Sequence, residues 1–184
     1  MKEGSLKKIL LHVCCAPDAT AVVERLSQKF SVIGFFYNPC IWPEEEYIKR
    51  LNETKKVAEI MKFHLIEGEY EVERWEEKIR GFEGEPEGGK RCFECYFMRL
   101  EKTAEEARNN GIEIFTTTLS ISPHKNFDKI LEIGKNIAKI EKLQFYEENF
   151  KKMDGFKRSV ELSRSFGLYR QRYCGCKYSL RGKL

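Results

Sequence analysis

The sequence predicts an α/β fold: a mostly parallel, Rossmann-like sheet with helices on both of its faces. Two observations carry that expectation. Short apolar runs that read as buried strands alternate with helical segments of 12 to 19 residues almost throughout the chain. The 184 residues are enough for one domain with a real core and leave no room for two large ones. We therefore expect a single domain over residues 1–184, with a basic segment at about 151–184.

Lys8–Val13 is a short apolar run (Ile9, Leu10, Leu11, Val13) that reads as a buried strand ending at Cys14-Cys15. Residues 18–29 have helical spacing, with Asp18 or Thr20 available as an N-cap. Ser31–Tyr37 reads as a second strand, stopped by Asn38-Pro39. Pro43 suits a helix first turn, and Tyr47, Leu51, Thr54, Ala58 and Met61 mark one face of the helix that follows. Phe63–Ile66 is a candidate third strand. Residues 67–91 break the rhythm with nine glutamates, Pro86 and several glycines, and read as a short helix at Val72–Ile79 followed by a loop. A helix over 93–109 places Phe97, Leu100, Ala104 and Ala107 on the core. It is followed by a strand at Ile112–Thr118, a helix at Asn126–Lys139, a strand at Leu143–Tyr146 and a helix at 155–167.

In such a sheet, ligands sit outside the carboxyl ends of the strands. Cys14-Cys15 follows the first strand, Asn38 the second and Thr118–Ser122 a later one, so motifs far apart in sequence are expected to meet on that edge.

Six of the seven cysteines lie in three tight pairs: Cys14-Cys15, Cys92-x-x-Cys95 and Cys174-Gly-Cys176. Such pairing points to metal binding, redox chemistry or both. Adjacent thiols at a strand end, in a turn before a helix, can reach a common centre, which they could not do within a continuing strand. Cys92 and Cys95, at i and i+3 in a helix first turn, share one side, where the helix dipole favours thiolate. With Cys14 and Cys15 they make four thiolates, the number an iron–sulfur cluster usually takes. The absence of a second CxxC argues against a four-cysteine zinc ribbon. Asp18 reads as a helix cap, a carboxylate ligand or a proton donor. His12 reads as a hydrogen-bonded core histidine and Cys40 as a small core residue. Cys174-Gly-Cys176 suits a small strained disulfide of the reactive kind, or supplies a thiol to metal; spacing alone leaves both open.

The formal charge of +4 hides an asymmetry: residues 151–184 carry ten Lys/Arg against Asp154 and Glu161, while the other 150 residues are net acidic. Arg164, Arg170, Arg172 and Lys177 interleave with Phe166, Tyr169, Tyr173 and Tyr178, a mixture suited to phosphate contacts and base stacking. The bland reading is a solvated basic tail with snorkelling arginines. No apolar run approaches membrane-spanning length and no secretory pattern opens the chain, so a cytoplasmic protein with reduced thiols is expected. The high content of both charge signs is also that of heat-adapted proteins, in which intracellular disulfides occur.

Taken in order, the segments His12-Val-Cys-Cys-Ala-Pro17, Tyr37-Asn-Pro39, Arg91-Cys-x-x-Cys-Tyr96, Thr116-Thr-Thr-Leu-Ser-Ile-Ser-Pro123, Gly155-Phe-Lys-Arg-Ser-x-Glu-Leu-Ser163 and Tyr169-Arg-Gln-x-Tyr-Cys-Gly-Cys176 resemble the QueH-type epoxyqueuosine reductase family. The resemblance covers roughly residues 6–180. It implies reduction of epoxyqueuosine at the tRNA wobble position to queuosine, which consumes two electrons and two protons and releases water. It assigns Cys14, Cys15, Cys92 and Cys95 to a [4Fe–4S] cluster and Cys174 with Cys176 to a redox-active pair. Asp18 stands where many relatives have cysteine, which makes room for a mixed thiolate–carboxylate site and a second, mononuclear iron near Asp18. Cys40 stands where they have asparagine. Arg164, Arg170, Arg172 and Lys177 are the candidate tRNA contacts, and a reduced ferredoxin- or flavodoxin-like protein the expected electron donor. The sheet is also similar to that of ATP-pyrophosphatase (HUP-type) enzymes that thiolate tRNA. A cluster-bearing thiolase is therefore one alternative, and a non-enzymatic iron–sulfur or zinc carrier the other. A thiolase of that type needs a Gly/Ser-rich phosphate loop after the first strand, where this chain has Cys14-Cys15-Ala16-Pro17-Asp18.

Overall fold

A computed structural model describes residues 6–180; Arg181 and Lys183 of the basic segment lie outside the described residues. Five strands form one parallel sheet in the order β3-β2-β1-β4-β5. They are β1 (Lys8–His12), β2 (Ser31–Phe36), β3 (His64–Glu67), β4 (Ile114–Thr117) and β5 (Gln144–Phe145). Every pairing is parallel, with Ile9 opposite Val32 and Leu10 opposite Phe115. Ile9, Leu10, Leu11, Phe115 and Phe36 are fully buried, as strands covered on both faces require.

The connections are α1 (Ala16–Leu26), α2 (Glu44–Met61), α3 (Val72–Lys78), α4 (Lys90–Asn109), α5 (Phe127–Glu141) and, after the sheet, α6 (Gly155–Ser165). Helix α1 packs on α2 and α6, whereas α4 packs on α3 and α5. Right-handed crossovers put these two groups on opposite faces, because the chain runs outward from β1 to β3 and then crosses to β4 on the other side. The direction of winding therefore reverses between β1 and β4, where a parallel sheet opens a crevice at its carboxyl edge.

The helix starts differ from expectation in an informative way. Helix α1 begins at Ala16, and its N-cap is Cys15, not Asp18 or Thr20. Pro17 occupies the first turn, where its missing N–H has no intrahelical partner to lose. Asp18 thus lies inside the first turn, beside the positive end of the helix dipole. Helix α4 starts at Lys90 with Gly89 as N-cap, so Cys92 lies within its first turn. Gly88 precedes it with φ +87°, a conformation that favours glycine.

Helix α6 is placed by a close backbone approach. Arg25 of α1 donates from Nη2 to the carbonyls of Lys152 (2.8 Å) and Met153 (3.3 Å), which pins the turn before α6. At Gly155 a Cβ would stand 1.8 Å from the Phe150 carbonyl oxygen and 2.7 Å from Arg25 Nη2. Because the first of these atoms is backbone, the turn itself must move to admit a side chain. Gly155→Ala is expected to lower the stability by about 1–3 kcal/mol. Urea melts should show a lower midpoint with an unchanged slope.

Candidate metal centre and basic cavity

The thiols converge at the carboxyl edge of β1 and β4. Cys14 and Cys15 follow β1, and their sulfurs are 3.9 Å apart. The Cys14 sulfur is 3.5 Å from Asp18 Oδ2, and these three ligand atoms all lie within 4.8 Å of one another. Thr118, just past β4, fixes the turn: its hydroxyl accepts from the Cys14 N–H (2.9 Å) and donates to the Cys14 sulfur (3.1 Å). Cys92 and Cys95 come from the first two turns of α4, outside that compact trio. The Gly88 N–H donates to the Cys92 sulfur at 3.2 Å.

Arg99 continues the cysteine face of α4, four residues after Cys95, and is buried. Its guanidinium donates to Asn38 Oδ1, and Nη1 lies 3.9 Å from the Cys95 sulfur. Asn38, fully buried after β2, donates from Nδ2 to the Val13 carbonyl at 2.9 Å. One network thus ties α4 to the ends of β1 and β2. Arg99 Nε has no protein partner. Desolvation opposes a buried cation, and the surrounding thiols Cys40, Cys95, Cys14 and Cys174 push its pKa upward and keep it charged.

His12 has the structural place expected of it. Buried in β1, its Nε2 donates to the Tyr37 carbonyl (3.1 Å), which leaves Nδ1 to accept from Thr117 Oγ1 at 2.8 Å. Burial, followed by the Arg99 charge, lowers its pKa well below the ordinary value, so the ring is neutral.

Cys40 is not an isolated core thiol. It contacts Cys95 through a thiol–thiol hydrogen bond that raises Cys40, as burial also does, and that lowers Cys95 to about 6 against the opposing effect of burial. Arg99 and Lys125 add to the lowering of Cys95. The helix start does not do the same for Cys92: burial pushes that thiol up to about 11, against a smaller lowering by the Gly88 N–H. Cys14 is lowered, first by Cys15, and Cys15 is raised well above the usual value for the same reason. Burial raises the Asp18 carboxyl, opposed by Arg170 and the two thiols.

A cavity of about 540 Å³ opens beside these groups. Cys14, Asp18, Arg99, Lys125, Arg170 and Cys174 are among the residues that line it, and Arg172 and Tyr173 add to its wall. Lys125 Nζ donates to the Cys174 sulfur at 3.1 Å. Cys174 and Cys176 are both free thiols in different settings: Cys174 faces the cavity, while Cys176 is buried beneath it and raised by that burial. Gly175 between them has φ +125°. The buried Arg50 of α2 holds this turn by donating to the Cys174 carbonyl (3.0 Å) and the Tyr173 carbonyl (3.3 Å), and is itself paired with Glu46 at 2.7 Å.

Of the four candidate RNA contacts, Arg170 and Arg172 line the cavity. Arg170 lies over the Phe156 ring and donates to Ser163 Oγ at 3.2 Å. Arg164 is exposed on α6 and does not line the cavity. Lys177 is paired with Glu76 in a separate recess walled by Glu73, Glu77 and Glu83. Sequence reasoning missed Arg99, Lys125, Arg50 and the placement of Cys40. Only Arg99 left a readable signal, since it shares the i, i+3, i+7 face of Cys92 and Cys95.

The donor set fits a thiolate-bound metal. Two sulfurs bound at ~2.3 Å to one tetrahedral ion stand roughly 3.8 Å apart, so Cys14 and Cys15, 3.9 Å apart, have the spacing to share one ion, whereas a cluster that takes one thiolate on each iron requires them to spread. The unpartnered Arg99 Nε gives the same answer, because a buried guanidinium among thiols needs the negative charge that metal-bound thiolates keep.

Residues 9–182 match the family model described as Epoxyqueuosine reductase QueH. The chain belongs to that family. An epoxyqueuosine reductase QueH of Thermotoga maritima is 42% identical over 176 residues, spanning 94% of this chain and 90% of that protein. The Streptococcus pyogenes and Acinetobacter baylyi proteins of the same name are 38% and 39% identical and span 97% and 95% of this chain; the matches cover 72% and 81% of their own lengths. No helix among the described residues is long and apolar enough to cross a membrane.

In metal-free protein, Cys95 is expected to ionise near pH 6, whereas Cys92 remains a thiol to about 11. Ultraviolet thiolate absorbance should show the low step, and Cys95→Ala should abolish it. Arg99→Met should move it upward. The depressed Cys95 favours folding fully above the ordinary thiol value of 9.0, and that contribution fades as the pH falls toward 6. The raised Cys92 favours folding below 9.0 and loses its contribution as the pH climbs toward 11.

Proposed function

We infer that this chain reduces epoxyqueuosine to queuosine at the wobble position of tRNA, as its family membership and its site together support. The observation that carries the reading is the meeting of Cys14 and Cys174 with Asp18, Arg170, Arg172 and Lys125 around one cavity. Its volume of about 540 Å³ lies within the roughly 300–1,000 Å³ typical of small-molecule sites, so it suits a nucleoside swung out of its stack. Arg170 and Arg172 would take the flanking phosphates. Arg164 and Lys177 lie farther out, and the Glu76 pairing occupies Lys177, so they contribute less near the reacting nucleotide.

Cys14, Cys15, Cys92 and Cys95 would hold a [4Fe–4S] cluster, and Asp18 would serve as a carboxylate ligand to a further mononuclear iron or as an acid. When bound, the cluster would pass on, one at a time, the electrons that break the carbon–oxygen bond. Asp18, raised by burial, holds its proton nearer neutral pH and can pass it from Oδ2 to the oxygen that leaves as water. The Cys174–Cys176 dithiol can give up two electrons and two protons by closing to a disulfide, which equals the demand of the reaction. A reduced ferredoxin- or flavodoxin-like protein would restore it. The strand order and the site at the β1–β4 switch support a HUP-type assignment for the sheet, with cysteines where such enzymes run a phosphate loop. The tRNA substrate implies a cytoplasmic enzyme.

Anaerobic turnover tests the reading. Iron-reconstituted protein with epoxyqueuosine-containing tRNA and a strong reductant should yield queuosine by nucleoside mass spectrometry, and Cys92→Ala should abolish the product. Intact cluster without product would sink the reductase assignment. Binding of that tRNA should weaken steeply with salt, and Arg172→Ala should reduce the slope of log K against log salt by about one.

A further inference from the structure

We propose that Trp42 is a stacking platform for an unpaired base of the RNA loop next to the reacting nucleotide; this rests on the tRNA reading above. The chain has two tryptophans. Trp75 is buried at 2% exposure and neighbours Cys95, as an ordinary core tryptophan would. Trp42 is 46% exposed and is the one aromatic residue among the exposed large hydrophobic residues described.

An exposed indole on a loose loop would mean little, because single surface apolar residues are common. Trp42 is instead held from both sides of its backbone. Its N–H donates to the Gly175 carbonyl at 2.9 Å, and its carbonyl accepts from the Tyr173 hydroxyl at 2.7 Å. Both partners belong to the turn that carries Cys174, and Tyr173 is part of the cavity wall. Arg50 clamps that turn, with its guanidinium 4.9 Å from the centre of the Tyr173 ring. The indole is therefore carried on a fixed backbone next to the cavity wall at Tyr173, with about half of the residue exposed.

The setting of the ring narrows the partner. Arg172 is exposed on the turn that holds Trp42 and Lys49 of α2 lies 3.5 Å from the centre of the Tyr169 ring, while Glu44 and Glu45 are exposed just after Trp42, so the ring face and not a cationic patch is what a ligand would meet here. In single-stranded nucleic-acid binding, bases stack on such rings while cations elsewhere in the groove, here Arg170 and Arg172 of the cavity wall, follow the phosphates. A base drawn into the cavity breaks the loop stack and leaves its neighbour with one bare face. Trp42 is placed to cover that face. Duplex recognition offers no such base, so the expected ligand is a loop and not a paired stem.

The test uses iron-loaded protein under anaerobic conditions and epoxyqueuosine-containing tRNA, with binding followed by gel shift and tryptophan emission. The difference between wild type and Trp42→Phe isolates the Trp42 emission. It should be quenched on binding, and addition of the tRNA should protect it from iodide. Trp42→Ala should weaken binding about fivefold to a hundredfold, and Trp42→Phe by less. The salt slope should remain that of wild type in both variants, because no phosphate contact is lost; a merely misfolded turn that displaced Arg172 would lower it. A tRNA that binds wild type with Trp42 emission and Trp42→Ala affinity unchanged would overturn the stacking role alone. Failure of wild type to bind this tRNA at all would remove the RNA reading and this role with it.

Discussion

A buried guanidinium among thiols is the arrangement on which the rest of the site depends. Arg99 carries a positive charge at only 3% exposure, and groups able to carry negative charge, together with the Asn38 amide oxygen, hold it there. Asn38 meets one end of the guanidinium and also bonds the Val13 carbonyl, so the charge is registered against the end of β1. The consequence is geometric as much as electrostatic. Helix α4 cannot slide along the sheet without leaving a buried cation unpaired, and Cys92 and Cys95 move with it. The metal centre is therefore positioned by the cation beneath it as well as by the cysteines that would grip the metal.

Strand order supplies the second constraint. Reversal of the winding between β1 and β4 leaves the Cys14-Cys15 turn and Thr118 facing each other across a gap, with no crossover helix above it. The α6 helix and the turn through Cys174 close this gap from outside the sheet. Because that cover is not part of the sheet hydrogen bonding, it is attached by side chains: Arg25 holds the turn that leads into α6, and Arg50 holds the Cys174 turn. The sheet edge and α4 thus supply the candidate metal ligands, and an added segment supplies the basic wall and the Cys174–Cys176 thiols.

The fold was legible because strand burial and helix spacing are local signals. Each strand fell within two residues of its expected place, and the edge on which the site would form followed from topology alone. Cys14, Cys15 and Asp18 were legible as a unit because they sit on five consecutive residues at one strand end. The N-cap was not, since Cys15 takes that position through backbone geometry without a capping side chain. Cys40 and Lys125 left no local trace, because their importance lies in contacts across the sheet edge with Cys95 and Cys174. The ionisation pattern was partly misread for the same reason. A helix start predicts a stabilised Cys92 thiolate, but burial outweighs the dipole there, and the low thiol is the one next to Cys40 and Arg99.

Gly175 carries a consequence for how such a turn can change over time. With φ +125° and a would-be Cβ only 3.0 Å from the Arg50 guanidinium, the position takes a side chain only with backbone strain and a shift of that guanidinium. The relation works in both directions, since moving Arg50 also loosens its bonds to the Tyr173 and Cys174 carbonyls. Two positions 125 apart in sequence are therefore coupled through one close approach. A substitution at either the spacer between the two outer thiols or the cation behind it changes the room left for the other.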